Sequence, residues 1–472
     1  MPMRLHDTMT RSLRAVEPLE SGHVRLYTCG PTVYARAHIG NFRTFLFEDV
    51  LRRWLERRFA RVTHVMNLTD VEDKIIHNAT AAHHDLETET APWIAAFFED
   101  LDTLNIRRAH QYPRATEYIA PMVALIERLD EAGVTYRSDG SVYFHITAFP
   151  PYGRLSGVRA EGLVAGGGGR VDADEYDKED VRDFALWKTV GAGEIGWDTT
   201  LGRGRPGWHI ECSAMSMALL GESFDIHCGG VDNIFPHHEN EIAQSEAATG
   251  RPFVQLWCHG EHLRIGGEKM AKSLDNFATV AELAAGGARP SALRYLLIAG
   301  AHYRKPVNFS DESLHGATES VDRFADFADR VRAHSPRMDA GSATADSRVA
   351  TARAAFEAAM DDDLNVPEAM GAVYTLIRAL NRELDGGVVN APTHAELLAL
   401  IDEVDDVVGL LSLVERERAG AGLSDAEQST LDAREAARTA RNWAESDRLR
   451  DELAEAGIAV EDTAGGQRWR RL

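Results

Sequence analysis

Cysteines and long apolar runs are scarce in this 472-residue chain, and its basic residues are outnumbered by acidic ones. Its four cysteines are too few for a disulfide scaffold in a chain of this size, so reduced thiols are expected. No run of about eighteen apolar residues occurs, and the first residues contain no apolar signal-peptide core. The sequence therefore indicates neither membrane spanning nor secretion, and a cytoplasmic location is expected.

The charge balance is acidic, with 51 Lys and Arg against 74 Asp and Glu, which gives a formal net charge of -23. This total argues against a protein that binds nucleic acids or anionic membranes indiscriminately. A local basic groove is still compatible with it, so the composition does not exclude an RNA partner. The length predicts roughly two to four domains.

The opening third of the chain alternates strand-like and helix-like segments. Residues 24–30 (VRLYTCG) and 61–67 (RVTHVMN) have the composition of strands, and apolar residues at three- and four-residue spacings predict a helix over 42–59. The same pattern resumes with SFDIHCGG (223–230) and VQLWCHG (254–260). This order predicts a parallel sheet with crossover helices.

The remaining segments do not follow this alternation of strands and helices. A helix, a short strand and a glycine-rich loop suggest an insertion into the sheet domain. After Pro290 the chain is rich in Ala and Leu at helical spacing. A helix that leads to a strand and a basic end closes the chain. The expected divisions are 1–112 (first half of a catalytic domain), 113–187 (inserted connective subdomain), 188–289 (second half), 290–415 (helical bundle) and 424–472 (small C-terminal unit).

The stretch PTVYARAHIGN, residues 31–41, connects the first predicted strand to the predicted helix that follows it. Open α/β sheets bind ligands at this edge, and the free N–H groups of a helix N-terminus attract anions. His38 and Asn41 would add side-chain donors, and Gly40 would let a base approach the backbone, so the stretch fits a nucleoside triphosphate. The alternative is that His38 and Asn41 only cap the helix, and the tetrapeptide alone does not decide between the two.

A second motif is LRIGGEKMAKSLDNF, residues 263–277. Gly266 and Gly267 permit a tight hairpin turn, and Lys269 and Lys272 follow it. Lysines near a triphosphate would stabilise the charge that develops there during reaction. The alternative, which an isolated KMAKS favours, is a solvated surface hairpin.

A third motif concerns a metal. In FPHHENEIAQSEAAT, His237 and Glu241 are four residues apart and would share one helix face as a ligand pair. The H-E-x-x-H spacing of a metalloprotease is absent, because Ile242 stands four residues after His238. Two cysteines would complete a zinc site, but no C-x-x-C pair selects among the four. The residues alone favour an ion pair or a cap.

The joint occurrence of these motifs strongly resembles the cysteinyl-tRNA synthetases, a family of class I aminoacyl-tRNA synthetases. The resemblance covers nearly the whole chain and is specific at several places at once. It is carried by LYTCGPTVYARAHIGNFRTF, NLTDVEDKI, DFALWK, GRPGWHIECSAM, DIHCGGVDNIFPHHENEIAQSE, GEKMAKSLDNF, AHYRKPVNFS and RNWAESDRLRDELAEAGIAVEDTAGGQRWR.

The resemblance implies an α/β fold: a Rossmann-like parallel-sheet catalytic domain with an inserted subdomain, followed by a helical bundle and a small C-terminal α+β unit. HIGN looks like the family's HIGH signature and KMAKS like its KMSKS loop. His38, Asn41, Lys269 and Lys272 are then the expected catalytic residues, with His38, Gly40, Asn41 and Lys272 at ATP. Asn41 and Ala271 depart from the ideal signatures, and activity is expected to survive both changes.

The resemblance also implies one zinc ion per chain, held by Cys29, Cys212, His237 and Glu241. Thr69, Trp208, His227 and Asp232 are the expected residues of the substrate-cysteine pocket. Cys228 stands where the family usually has glycine. It is either a second thiol near the metal or a small residue that fits.

The implied reaction uses ATP with magnesium to activate L-cysteine and charge tRNA(Cys), in a protein expected to be monomeric and free of membranes. One alternative, a ligase joining cysteine to an amino sugar, has no use for the C-terminal unit. The other, a non-catalytic RNA-binding homologue, does not explain the intact lysines and zinc positions. The C-terminal unit is expected to read the anticodon, with Trp469 among Arg468, Arg470 and Arg471 as a stacking face. Alternatively, Trp469 packs on a small core.

Overall fold

The structure is a computed structural model that describes residues 2–158, 183–265, 268–269, 277–336, 344–420, 424–463 and 466–471. The chain forms two compact units, Met1–Leu410 and Leu411–Leu472. The predicted glycine-rich loop lies outside the described residues.

The central sheet of the first unit is parallel, as the sequence predicts. Its strand order is β11-β10-β3-β4, and every neighbouring pair runs in the same direction. The strands of the chain are β1 (Arg4–Asp7), β2 (Ser12–Ala15), β3 (His23–Thr28), β4 (Arg61–Met66), β5 (Thr135–Ser138), β6 (Ser141–Phe144), β7 (Phe184–Thr189), β8 (Trp197–Thr199), β9 (Gly202–Pro206), β10 (Phe224–Gly230), β11 (Val254–Gly260), β12 (Leu263–Ile265), β13 (Glu268–Lys269), β14 (Val307–Phe309), β15 (Ile458–Thr463) and β16 (Gly466–Arg471).

Helices connect the strands and continue beyond them. The first begins three residues before its predicted start, because His38 caps it. No helix in the described ranges is both long enough and apolar enough to cross a membrane. The helices are α1 (Ile39–Arg58), α2 (Asp73–Ala82), α3 (Leu86–Thr103), α4 (Ile119–Glu131), α5 (Trp208–Leu220), α6 (Glu239–Thr249), α7 (Val280–Ala285), α8 (Pro290–Ala299), α9 (Asp311–Ala333), α10 (Ser347–Asp361), α11 (Val366–Asp385), α12 (Ala391–Val408), α13 (Leu411–Gly420), α14 (Asp425–Thr439) and α15 (Trp443–Glu455).

A second sheet lies between β4 and β10 in the sequence. It is antiparallel, with the order β5-β6-β7-β9-β8. Phe144 and Phe184 stack across β6 and β7 with ring centroids 5.0 Å apart, and both belong to the core that also covers the central sheet. The sheet is therefore built into the first unit's core, where it precedes α5.

Helices α8 to α12 pack on one another and on α1. The contact to α1 includes a buried ion pair, in which Arg294 Nη2 lies 2.6 Å from Asp49 Oδ2 and both side chains are fully buried. Arg294 also donates through Nε to the Val408 carbonyl at 2.5 Å, so one guanidinium joins α1, α8 and the end of α12. Burial lowers the pKa of Arg294 to about 10, and the Asp49 carboxylate opposes that effect.

The second unit has a small core of its own, formed by Leu431, Leu453 and Ile458. Helices α14 and α15 pack together, and β15 pairs with β16 in an antiparallel hairpin. The helix leading to a strand that the sequence predicts is α15 followed by β15. Trp469 packs against this core, which is the alternative considered for it above.

Glu48 is a fully buried acid on the helix that follows β3. It lies on α1, its side chain is fully buried, and a hydrogen bond from the Thr28 hydroxyl offsets only part of the effect of that burial on its pKa. Burial raises its pKa well above the ordinary value of 4.5, so the folded protein holds it as the neutral acid.

The Glu48→Gln variant is expected to be more stable than the wild type, by a margin that grows with pH. Because the pKa of Glu48 is higher in the folded than in the unfolded protein, the wild type keeps its full free energy of unfolding below about pH 4.5. As the pH rises from there toward the folded-state pKa, the free energy of unfolding falls by about 1.4 kcal/mol per pH unit. Denaturant unfolding of both proteins at pH 5.5, 7 and 8.5 measures the margin. Glu131→Gln, on an exposed surface, is the control. A margin independent of pH would contradict the neutral acid.

Candidate active site

The carboxyl ends of three parallel strands meet at one edge of the central sheet. Cys29 follows β3, and its N–H donates to the carbonyl of Cys228 on the neighbouring β10 at 3.3 Å. A cleft of about 270 Å³ opens at this edge. The residues that line it include Cys29, Gly30, Pro31, Thr32, His38, Gly40, Asn41, Thr44, Asp232, Glu261, His262 and Leu263.

Four expected metal ligands converge beside this cleft. Their ligand atoms lie within 4.8 Å of one another, although each comes from a different segment. Cys29 follows β3, Cys212 lies on α5, His237 lies in the π-helical turn Ile234–His238, and Glu241 lies in the first turn of α6. His237 Nε2 is 3.0 Å from Glu241 Oε1, so the predicted spacing of four residues does place both side chains on one face.

A second donor group overlaps the first, formed by Cys29, His227, His238 and Glu241. His227 Nε2 lies 3.1 Å from Glu241 Oε2, and His238 Nε2 lies 3.3 Å from Cys29 Sγ. His238 is not among the ligands expected from the sequence, although it directly follows His237. The two groups share a thiol and a carboxylate, so the site contains more donors than one tetrahedral ion needs.

Behind His238 a hydrogen-bonded chain leads away from the site. His238 Nδ1 is 2.8 Å from His259 Nε2, and His259 Nδ1 is 2.8 Å from Thr8 Oγ1. Burial is the main cause that lowers the pKa of both imidazoles, to about 3 for His259, so both are neutral. No sequence pattern connects Thr8 with His259, because the contact spans most of the first unit.

The electrostatics of the first group favour a bound cation. Hydrogen bonding from Cys29 lowers the pKa of Cys212 to about 6 although burial opposes it. Burial would raise the pKa of Glu241, but His227 and His237 lower it to about 2. Burial likewise works against a charged His237, whose pKa Glu241 and Cys212 raise to about 10. A thiolate and a carboxylate are thus buried together, and sulfur, imidazole and carboxylate donors suit zinc.

The HIGN residues form the start of α1. Asn41 N–H donates to His38 Nδ1 and His38 N–H donates to Asn41 Oδ1, both at 3.2 Å, which is the capping arrangement considered above. All three of His38, Gly40 and Asn41 also line the cleft. A Cβ at Gly40 would come within 2.9 Å of the His38 ring, so this position has no room for a side chain. Capping and ligand binding are therefore compatible here.

The segment that follows KMAKS is bound to the start of α1. Ile39 N–H donates to the Ala278 carbonyl at 2.8 Å, and the rings of His38 and Phe277 are 5.1 Å apart. On its other side, β12 and β13 form the expected hairpin, and Lys269 lies on β13. Lys272 lies outside the described residues.

The expected cysteine-pocket residues occupy two places. Trp208 stacks on His237 with ring centroids 4.3 Å apart, and its side chain is 38% exposed. Thr69 and His227 are buried, and His227 contacts the donor group through Glu241. Asp232 instead lies 3.5 Å from His262, where both line the cleft together with Gly40 and Asn41.

Cys228 points away from the donor group. Successive side chains of a strand alternate between its faces, and His227 faces Glu241, so the Cys228 side chain belongs to the opposite face. Its register partner on β11 is Cys258, and burial raises the pKa of the Cys228 thiol well above its usual value. Of the two interpretations of Cys228, the structure therefore favours a small residue that fits its place, rather than a second thiol near the metal.

Three family models match successive parts of the chain. Residues 15–319 match the tRNA synthetases class I (C) catalytic domain, residues 355–412 match the DALR domain, and residues 420–470 match the Cysteinyl-tRNA ligase anticodon binding domain. The matches follow the order of the elements described above.

Curated relatives match over the full length. The chain is 47% identical over 476 residues to the cysteine–tRNA ligase of Solibacter usitatus, with 100% of both chains covered. It is 44% identical over 475 residues to the cysteine–tRNA ligase of Protochlamydia amoebophila, covering 100% of this chain and 98% of that one.

Solved structures share the fold at low identity. Mycobacterium tuberculosis methionyl-tRNA synthetase in complex with methionyl-adenylate has a TM-score of 0.58 at 15% identity, covering 83% of this chain and 90% of that chain. A putative arginyl-tRNA synthetase from Campylobacter jejuni has a TM-score of 0.52 at 13% identity, covering 83% and 92%. The first of these likenesses, with the catalytic-domain match, confirms the Rossmann-like α/β fold.

The purified protein is expected to contain about one zinc ion per chain, and Cys212→Ser is expected to weaken zinc binding by more than ~10²-fold, because it removes a thiolate donor. Metal analysis and competition with a chromophoric chelator measure both. Cys258→Ser, a buried thiol outside both donor groups, is the matched control and should keep its zinc. Unchanged zinc affinity in Cys212→Ser would contradict the proposed ligand set.

Proposed function

This chain belongs to the cysteine–tRNA ligase family, and we propose that it joins L-cysteine to tRNA(Cys) in two steps at the cleft described above. In the first step the cysteine carboxylate attacks the α-phosphate of ATP, which gives cysteinyl-adenylate and pyrophosphate. In the second step a hydroxyl of the terminal tRNA ribose attacks the adenylate and releases AMP. The observation that carries the proposal is the 47% identity to a cysteine–tRNA ligase over the whole chain.

Cys29, Cys212, His237 and Glu241 would hold one zinc ion. When bound, zinc supplies a soft Lewis acid that prefers the sulfur of cysteine to the hydroxyl of serine, a distinction that an apolar pocket makes only about 10²-fold. Trp208 stacks on His237 and so covers one side of the donor group while keeping an exposed edge toward solvent. These contacts support an amino-acid site immediately beside Cys29.

ATP, with magnesium, would occupy the cleft at the start of α1. The free N–H groups of the helix N-terminus favour a phosphate, and Gly40 leaves the backbone open to approach. Asp232 and His262 line the same cleft, which supports a role for Asp232 at the nucleotide side of the adenylate. Lys269 and Lys272 would supply the cations that stabilise the departing pyrophosphate. No protein nucleophile is needed, since positioning and electrostatics supply the catalysis.

The C-terminal unit is proposed to bind the anticodon. Its candidate stacking face is Trp443 rather than Trp469, because Trp443 is 59% exposed at the start of α15 whereas Trp469 packs on the small core. The exposed Arg441 lies two residues before Trp443. An aromatic face beside a cation is the arrangement that holds an unstacked base next to its phosphate.

The alternative functions remain distinguishable by experiment. Cysteine-dependent ATP–pyrophosphate exchange separates either enzyme from a non-catalytic RNA-binding protein, and charging of tRNA separates a tRNA ligase from a ligase that uses an amino sugar. The match of residues 420–470 to an anticodon-binding domain supports the tRNA ligase. A monomeric state and a cytoplasmic location stay predictions.

The Lys272→Ala variant is expected to form cysteinyl-adenylate ~10²-fold more slowly, with little change in cysteine affinity, because the ammonium matters most when phosphate charge is redistributed. Rapid-quench measurement of the first turnover isolates that step. Lys305→Ala, which removes an exposed lysine that does not line the cleft, is the control. An unchanged first-turnover rate would leave KMAKS as a surface hairpin.

The Trp443→Ala variant is expected to charge tRNA(Cys) with a kcat/KM lower by about 5- to 150-fold, which corresponds to about 1–3 kcal/mol for one stacked base. Trp443→Phe keeps an aromatic face and should retain most of the efficiency. Pyrophosphate exchange should be equal in both variants, since it does not require tRNA. Wild-type charging by Trp443→Ala would exclude stacking at this residue.

A further inference from the structure

The backbone beyond β3 and β4 continues the pairing of these two strands. Thr69 N–H donates to the Pro31 carbonyl, and Val33 N–H donates to the Thr69 carbonyl, both at 3.1 Å. The turn that follows Cys29 is therefore held against the segment that carries Thr69. These two segments supply one expected metal ligand and one expected wall of the amino-acid pocket.

A side chain bridges these segments close to Cys29. Gly30 N–H donates to Oδ1 of Asn67 at 2.9 Å, and Asn67 is 1% exposed. The approach is close, since a Cβ at Gly30 would lie 1.8 Å from the Asn67 backbone oxygen. The Asn67 side chain thus accepts the N–H of the residue that follows Cys29.

The bond to Gly30 also fixes which way the Asn67 amide faces. A backbone N–H can only donate, so the oxygen of the amide must face Gly30 and the nitrogen must face the other way. Asn67 Nδ2 accordingly donates to Thr69 Oγ1, at 3.2 Å. The Thr69 oxygen accepts at this point, and its own hydroxyl proton is directed away from Asn67.

We propose that Asn67 is a positioning residue for cysteine activation, which holds the turn behind Cys29 through Oδ1 and fixes the orientation of the Thr69 hydroxyl through Nδ2. The proposal rests on the proposed function, because it assigns Thr69 to the cysteine pocket. A residue that only satisfied a buried N–H would influence stability without influencing how the enzyme uses cysteine.

The two roles of Asn67 predict that variants of Asn67 and of Thr69 lose kcat/KM for cysteine to different extents. Asn67→Ala removes both hydrogen bonds, whereas Thr69→Val removes only the hydroxyl and keeps the shape of the side chain. We expect Asn67→Ala to lower kcat/KM for cysteine in pyrophosphate exchange by about 10- to 100-fold, with KM for ATP changed less than about threefold. Thr69→Val is expected to lose less, and Thr69→Ser to recover most of the wild-type value.

A double-mutant cycle tests whether Asn67 acts through Thr69. The Asn67→Ala/Thr69→Val protein should be no worse than Asn67→Ala alone, because Asn67 no longer holds the Thr69 hydroxyl in that variant. Losses in kcat/KM for cysteine that multiply in the double variant would overturn the proposal, and so would a wild-type kcat/KM for cysteine in Asn67→Ala. Asn365→Ala, which removes the asparagine cap of α11 in the helical bundle, is the control and should leave kcat/KM for cysteine unchanged.

Hydrogen exchange gives a readout that does not depend on activity. In mass spectrometry, the peptide covering residues 29–33 should exchange faster in Asn67→Ala and at the wild-type rate in Thr69→Val. Equal rates in all three proteins would overturn the role at Gly30. If Asn67→Ala does not fold, the Thr69→Val and Thr69→Ser pair decides, and a wild-type kcat/KM for cysteine in both would overturn the role at Thr69. Absence of cysteine-dependent exchange in the wild type would instead refute the proposed function.

Discussion

The hydrogen bond from the Cys29 N–H to the Cys228 carbonyl is the contact on which the arrangement of this active site depends. It aligns the carboxyl ends of β3 and β10, and parallel pairing extends that alignment to β11. Cys29, His227 and His259 therefore reach the same edge of the sheet although they are far apart in sequence. α5 and the start of α6 then add Cys212 and Glu241, so the donor group depends on the parallel sheet rather than on a local motif.

The sequence predicts what short-range periodicity controls. The parallel sheet follows from the alternation of strand-like and helix-like segments, α1 from the spacing of its apolar residues, and the shared face of His237 and Glu241 from their separation by four residues. The side on which Cys228 lies could also have been predicted, because alternation along a strand places it opposite His227. The choice of cysteine ligands could not, since four thiols and no close pair left it to the resemblance.

Long-range contacts account for what sequence reasoning missed. The hydrogen bonds from His238 to His259 and from His259 to Thr8 link segments separated by more than two hundred residues. No sequence pattern within either segment predicts these contacts. Trp469 and Trp443 show the same limit at smaller scale. Both tryptophans have arginines within two residues in the sequence. Only the packing of Leu431, Leu453 and Ile458 shows that the indole of Trp469 is the one that is covered.

The guanidinium of Arg294 bears on how genes for such proteins can be recombined. A break point before α8 that joined a partner segment without an arginine at this position would leave Asp49 with one fewer cation while fully buried, and breaking a buried pair typically costs about 3–5 kcal/mol. Exchange between the catalytic sheet and the helices after it therefore requires that both partners carry this pair. The segment from Leu411 onward is a separate compact unit with a core of its own, so a break point near that residue keeps Asp49 and Arg294 in one inherited segment.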